Sequence, residues 1–300
     1  MAACAGPGNV SSSPGGAFAP AQARSKHMVY AVHPETNSGF VHAMRVTKYT
    51  DYDSIVTLIR NKVSSNISSE GFGCCSTKEI GDGLVFTHGA NKLKRVAVVM
   101  NSFGCESGHW NSDDCQSTPG DTFPVPITLK VYAVANQSSA LASPGAVIAT
   151  QTRTFNIPYR PSKDDVHCTG QNLGMFVGPV DKLCDNGLSD VIWFNFKPLN
   201  VALPAEAIVT VAYNTSDAGY NPIGQGAPCF TSPGGCGYDS LNVSADGDGG
   251  FVGTNVDPNG VFVNFGDPAF YCSGSGTGLI LDSPCWTGYH PEIQVNASQQ

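Results

Sequence analysis

The chain has 300 residues and a formal charge of −8, with charged side chains at only 13% and glycine and proline at 34 and 20 positions. So little charge and so many turn formers exclude an array of solvated helices, while 41% apolar and 9% aromatic content excludes a disordered polymer. No apolar run approaches the ~20 residues that a membrane helix needs, so membrane insertion is not expected.

Along the chain, residues 1–25 form a low-complexity segment expected to be disordered, and 26–300 are expected to make a single β-sandwich domain. Met1 to Ala23 lacks the basic start and apolar centre of a signal peptide, although Ala21-Gln22-Ala23 resembles a cleavage tail. The stretch 53–63 fits two readings: a short helix capped by Asp53, or a strand built on Val-Thr-Leu-Ile. Strand-like runs then recur at Leu84–Thr87, Arg95–Met100, Pro126–Val134, Val147–Ile157, Val191–Phe196, Ile208–Tyr213, Gly260–Phe265, Leu279–Leu281 and Glu292–Val295, with turn chemistry between them. In the third run Ile127, Leu129, Val131 and Ala133 alternate with Thr128, Lys130 and Tyr132, the period of a strand with one buried face. The expected fold class is all-β: a disulfide-stapled antiparallel sandwich, jelly-roll-like. Strand–helix alternation of the dinucleotide-binding type is absent.

Charge is uneven. Residues 1–100 carry +4 and 101–300 carry −12, and nine acids but no Lys or Arg follow Lys197. Phosphate backbones are bound by Lys and Arg displacing counterions, so nucleic acid is excluded as a partner, and so is an anionic membrane surface.

The eleven cysteines contain no C-x-x-C and have no histidine at zinc-finger spacing. Eight fall into near neighbours around Gly/Pro/Ser/Asp-rich stretches: Cys105 with Cys115, Cys168 with Cys184, Cys229 with Cys236, and Cys272 with Cys285. Stapled loops imply an oxidising compartment, extracellular or at the cell surface. Cys74 and Cys75 are adjacent; one is free to pair with Cys4, which leaves an odd thiol for self-association. Six N-x-S/T sequons, at Asn9, Asn66, Asn136, Asn214, Asn242 and Asn296, are candidate N-glycosylation sites.

Several motifs together resemble a family of uncharacterised secreted bacterial proteins of actinobacterial type, found in large surface polypeptides. They are Ser102-Phe-Gly-Cys-Glu-Ser-Gly with Trp110, Phe155-Asn-Ile-Pro-Tyr-Arg-Pro-Ser162, Ala212-Tyr-Asn-Thr-Ser216 with Gly219-Tyr-Asn-Pro-Ile-Gly224, Pro228-Cys-Phe-Thr-Ser232 with Gly235-Cys236, Tyr238-Asp-Ser-Leu-Asn-Val243, and Leu281-Asp-Ser with Cys285-Trp-Thr-Gly-Tyr289. The resemblance implies secretion and one continuous β-rich domain from about residue 72 onward. It carries no activity and no functional residue.

No G-x-S-x-G elbow, H-E-x-x-H or P-loop is present. His109, beside Trp110, Asp113 and Asp114, is the histidine best placed for chemistry, with a plain surface loop as the competing use. Adjacent acids such as Asp113-Asp114 and Asp164-Asp165 do not make a catalytic dyad, because neighbouring strand residues point to opposite faces. Asp246-Gly-Asp-Gly-Gly250, with Asp239 and Asp257, offers hard oxygen ligands; calcium is the candidate cofactor and an acidic turn the competing reading. Trp110, Tyr220, Tyr238, Trp286 and Tyr289 are candidate platforms for sugar rings, with core packing against disulfides as the competing use; Trp110 and Trp286, beside loop cysteines, fit either. The expectation is a secreted, non-enzymatic surface or matrix module that binds polysaccharide or a neighbouring cell-surface protein. The alternatives are a glycan-active hydrolase or lyase on the same scaffold and a self-assembling structural glycoprotein.

Overall fold

A computed structural model describes residues 30–32, 55–61, 68–71, 77–86, 91–108, 113–135, 142–178, 182–213, 241–245 and 250–298. The strands are β1 (Tyr30–Val32), β2 (Ile55–Asn61), β3 (Ser68–Gly71), β4 (Thr77–Val85), β5 (Lys92–Ser102), β6 (Thr122–Val134), β7 (Pro144–Pro158), β8 (Phe176–Val177) and β9 (Cys184–Asp185). They continue as β10 (Leu188–Asn195), β11 (Glu206–Tyr213), β12 (Leu241–Ala245), β13 (Gly250–Val252), β14 (Thr254–Asn255), β15 (Val261–Phe265), β16 (Ile280–Asp282) and β17 (Ile293–Ser298). Among the described residues there is no α-helix, only three-residue 3-10 turns.

One sheet runs β1-β10-β5-β17-β2-β13, with β12 also paired to β5 and β3 to β12; the other runs β16-β15-β4-β11-β6-β7, with β14 beside β4. All pairings within the two sheets are antiparallel except β1 on β10. The central orders β2-β17-β5-β10 and β4-β11-β6-β7, with the chain crossing between sheets from β2 to β4, β4 to β5, β5 to β6, β7 to β10 and β10 to β11, are those of a jelly roll. Within the ambiguous stretch 53–63, the described residues Ile55–Asn61 are strand, not helix. Ile55, Val56, Thr57 and Ile59 are β-branched and favour extended backbone, and β17 and β13 supply hydrogen-bond partners on both sides.

Alternation builds the core. Phe123, Val125, Ile127, Leu129 and Val131 of β6 are buried, as are Val96, Val98 and Met100 of β5, Ile192 and Phe194 of β10, and Val295 and Ala297 of β17. Each of these side chains larger than alanine contributes about 1.5–3 kcal/mol on burial. Trp193 belongs to the opposite face of its sheet, beside Ala97, Val99 and Val191, with the Arg95 guanidinium 4.7 Å from its ring centroid.

The outer face of the second sheet carries a polar knot. Glu79 on β4 accepts hydrogen bonds from Lys130 Nζ and Tyr132 Oη, both at 2.7 Å, and from Thr210 Oγ1, tying β4, β6 and β11 together. Beside it, Ile208, Phe262 and Ala142 form a small apolar cluster. Glycine makes this face possible: a Cβ at Gly83 would lie 2.8 Å from the Phe262 ring, and one at Gly81 would lie 2.0 Å from the Val209 carbonyl oxygen. Because the obstacle at Gly81 is main chain, Gly81→Ala is expected to destabilise the fold by about 1–3 kcal/mol. Urea denaturation measures this, and an unchanged midpoint would contradict the close β4–β11 approach.

Candidate functional site

Strand register brings the long loops to one end of the sandwich. Thr122 of β6 pairs with Pro158 of β7, Ile127 with Tyr213 of β11, and Phe265 of β15 with Thr77 of β4. Loops 103–121, 159–187 and 266–279 therefore leave the strands on the same side. Each holds at least one half of a disulfide: Cys105–Cys115, Cys168–Cys184 and Cys272–Cys285 are all formed, three of the four pairs that spacing suggested. Cys229 and Cys236 lie outside the described residues, as do Cys4, Cys74 and Cys75.

The first two loops are fused by hydrogen bonds. Arg160 N–H donates to Gly104 O (2.9 Å), Ser117 N–H donates to Ser162 Oγ (2.9 Å), and Ser162 Oγ–H donates back to Ser117 O (3.0 Å). Arg160 itself is wholly buried beneath the junction. Its Nη2 donates to Gly174 O (2.8 Å), its Nε to Pro161 O (3.3 Å), and its guanidinium lies 5.1 Å from the Phe176 ring centroid. Burial lowers its pKa to about 10, with the charges of Asp113 and Asp185 opposing the shift, so the group stays cationic at neutral pH.

On loop 159–187 the turn Asp164–Cys168 is locked by its own aspartate. Asp164 Oδ1 accepts from the Val166 and His167 amides (3.2 and 3.1 Å), and His167 Nδ1–H donates to Asp164 Oδ2 at 2.8 Å. These bonds hold the Asp164 carboxyl below the usual carboxylate range. Asp164, His167, Val177, Lys182 and Cys184 line an open cleft of about 350 Å3. At the root of loop 103–121 the neighbouring Glu106 carboxyl raises Asp121. Bonds from Thr118 lower Glu106.

The aromatic and acidic candidates fare differently. Trp286 is not a sugar platform: it is buried at 2% exposure, donates Nε1–H to Asp282 Oδ2 (2.9 Å) and stacks near Phe265 with centroids 6.4 Å apart. Tyr289 is half-buried against the same core. Asp257 is half-exposed and caps a turn by accepting from the Asn259 amide at 2.8 Å. Asn242 and Asn296 are buried on β12 and β17, where Asn242 Nδ2 donates to Ser69 Oγ and Asn296 Oδ1 accepts from Gln294. Neither is a glycosylation acceptor in the folded chain, because a sequon needs an exposed loop. Trp110, Tyr220, Tyr238, His109, Asp239, Asp246, Asp248, Asn9, Asn66, Asn136 and Asn214 lie outside the described residues. Among the described residues the one grouping with metal-ligand proximity is Cys272, Asp282 and Cys285, but both thiols are spent in a disulfide.

One buried pair has no counterpart in the sequence patterns. His290 Nδ1 faces Asp82 Oδ2 at 2.8 Å and Nε2 faces Pro258 O at 2.9 Å, while Asp82 Oδ1 accepts from the Gly83 amide. Two acceptors on one ring call for both N–H groups, an imidazolium clamped on a carboxylate. Burial opposes that charge, yet Asp82, Pro258 and the nearby Asp257 outweigh it and hold His290 above the ordinary histidine range. Burial pushes Asp82 up as well, against the pull of His290.

No protein-family model, characterised protein or solved structure matches the chain.

The His290–Asp82 clamp sets a pH dependence. A histidine whose pKa is raised on folding contributes stability that is fully present below about 6.5 and is lost as pH rises through the higher folded value. The raised Asp82 acts in the same sense, from its own unfolded value upward. The melting temperature is expected to fall as pH rises above about 6.5, and Asp82→Asn with His290→Gln is expected to flatten that slope. Equal slopes for the two proteins in a pH series of melting curves would contradict the clamp.

Proposed function

We propose that the chain is a secreted, non-enzymatic binding module whose ligand surface is the stapled loop end of the jelly roll. One observation carries this reading. Of the six large apolar side chains exposed among the described residues, four lie on loops of that end: Val166 at 82%, Leu173 at 50%, Leu183 at 38% and Phe270 at 41%. Apolar side chains held in water on rigid loops mark an interaction site when they gather in one region. Disulfides and the buried Arg160 reduce the ordering cost that binding would otherwise impose on loops. Three of the four are aliphatic, which suits a neighbouring surface protein better than a sugar ring. The three disulfides suit an oxidising, extracellular-type setting, and the resemblance to secreted bacterial surface proteins points the same way.

Among the described residues, the loop-end cleft lined by Asp164 offers no general acid for glycan cleavage. A general acid must keep its proton near neutral pH. Asp164, in the cleft, is shifted the wrong way, whereas Asp190, raised to about 8 by burial, sits inside the sandwich on β10.

Placing a photo-crosslinker at Leu173, and separately at exposed Leu199 beyond the opposite end of β10, tests the surface directly. Adducts with proteins of the cell-surface fraction are expected from position 173 and not from 199, and Val166→Asp with Leu183→Asp is expected to cut their yield at least tenfold without moving the melting temperature. Equal adducts from both positions, or release of reducing sugar from a polysaccharide panel, would overturn the reading.

A further inference from the structure

We infer that β7 is a self-association edge through which two copies of this chain pair strand to strand. Sheet edges present unpaired N–H and C=O groups, and proteins usually blunt them with short strands, bulges, proline or charge. Most edges here follow that rule: β1, β13 and β16 are three residues each and β3 is four. The exception is β7. It is fifteen residues long and pairs with β6 alone. Over Ala149–Pro158 its register with β6 is one-to-one without a bulge. Among the described residues, its second edge makes no main-chain hydrogen bond.

The chemistry of this edge favours a second copy as its occupant. The outward side chains Thr150, Thr152, Thr154 and Asn156 are exposed and neutral. The strand's one charged residue, Arg153, is turned inward, where Nη1 donates to Trp193 O and the guanidinium lies 5.3 Å from the Phe155 ring centroid. Gln151 likewise reaches across to Asn195 O at 3.1 Å. Antiparallel pairing about a two-fold axis would thus set threonines against threonines, a favourable cross-strand combination, with no like charges opposed. The contact is isologous and closed: it uses the long β7 edge of both copies, and the terminal strands left among the described residues, β1, β3, β13 and β16, are three or four residues, so assembly stops at the dimer instead of growing into a fibre. This proposal is independent of the loop-end reading, because β7 flanks the sandwich along its length.

Light scattering on the size-fractionated whole chain tests it. The expected mass is twice the 31.4 kDa of one chain, with no covalent dimer on a non-reducing gel. Two triple variants, Thr150→Lys/Thr152→Lys/Thr154→Lys and the same three threonines to Glu, are each expected to be monomeric with melting temperatures close to the parent. Mixed in equal amounts, they are expected to form a heterodimer, since opposite charges then face each other. A monomeric parent at 100 μM would overturn the proposal, and so would dimers untouched by both triple variants or a mixture that stays monomeric.

Discussion

Everything in the first sheet depends on β5 finding three partners. It pairs with β10 over Arg95–Ser102, with β17 over Lys92–Val98 and with β12 over Met100–Ser102. Those partners come from residues 188–195, 293–298 and 241–245, so a single strand gathers segments from across the chain. The inward residues of β5, Val96, Val98 and Met100, then meet the β6 row, and the two sheets close on one apolar layer. Such pairings are almost all non-local, and the entropy of closing those loops must be offset before the contacts reward it, which makes this a slow-folding topology.

The same topology explains why staples cluster where they do. In a jelly roll, connections that cross between sheets are long at the ends, and loops 103–121 and 159–187 contain too few apolar residues to bury a core of their own. Order is supplied there by covalent links and by Arg160, whose burial is tolerated because carbonyls at Gly174 and Pro161 and an aromatic ring receive it. Replacing Arg160 with an aliphatic residue would leave those carbonyls buried without a donor. The site's rigidity and its apolar display are two consequences of one arrangement.

Local patterns in the chain were readable and distant pairings were not. The alternation of Ile127, Leu129 and Val131 translates directly into buried positions, and near-neighbour cysteine spacing anticipates three disulfides. The stretch around Ile55 stayed ambiguous because β-branched residues and a capping aspartate favour different structures; tertiary pairing with β17 decides it. Trp286 beside a loop cysteine fits either an exposed platform or core packing; Asp282 four residues earlier decides it by taking the indole N–H into the interior. The sequon at Asn296 sits just past the recognised strand run Glu292–Val295, and extending that run was the available signal that it would be buried. Asp82 and His290, 208 residues apart, carry no local signature at all, and neither does the Glu79 knot, whose Thr210 is 131 residues away.

The loop end and the β7 edge are related by geometry. All strands of the sandwich run roughly along one axis, and the stapled loops cap one end of that axis. Pairing two β7 strands antiparallel reverses the axis from one copy to the other, so the two loop ends face opposite directions. A dimer built this way cannot place both ligand surfaces on the same flat target, and it gains no avidity from a single surface, because simultaneous engagement there is geometrically forbidden. In the proposed dimer the two loop ends are instead held apart by roughly the length of the paired sandwiches. Taken together, the two proposals constrain each other: the β7 edge would set how many loop ends are displayed and in which directions, and the loops would set what they accept.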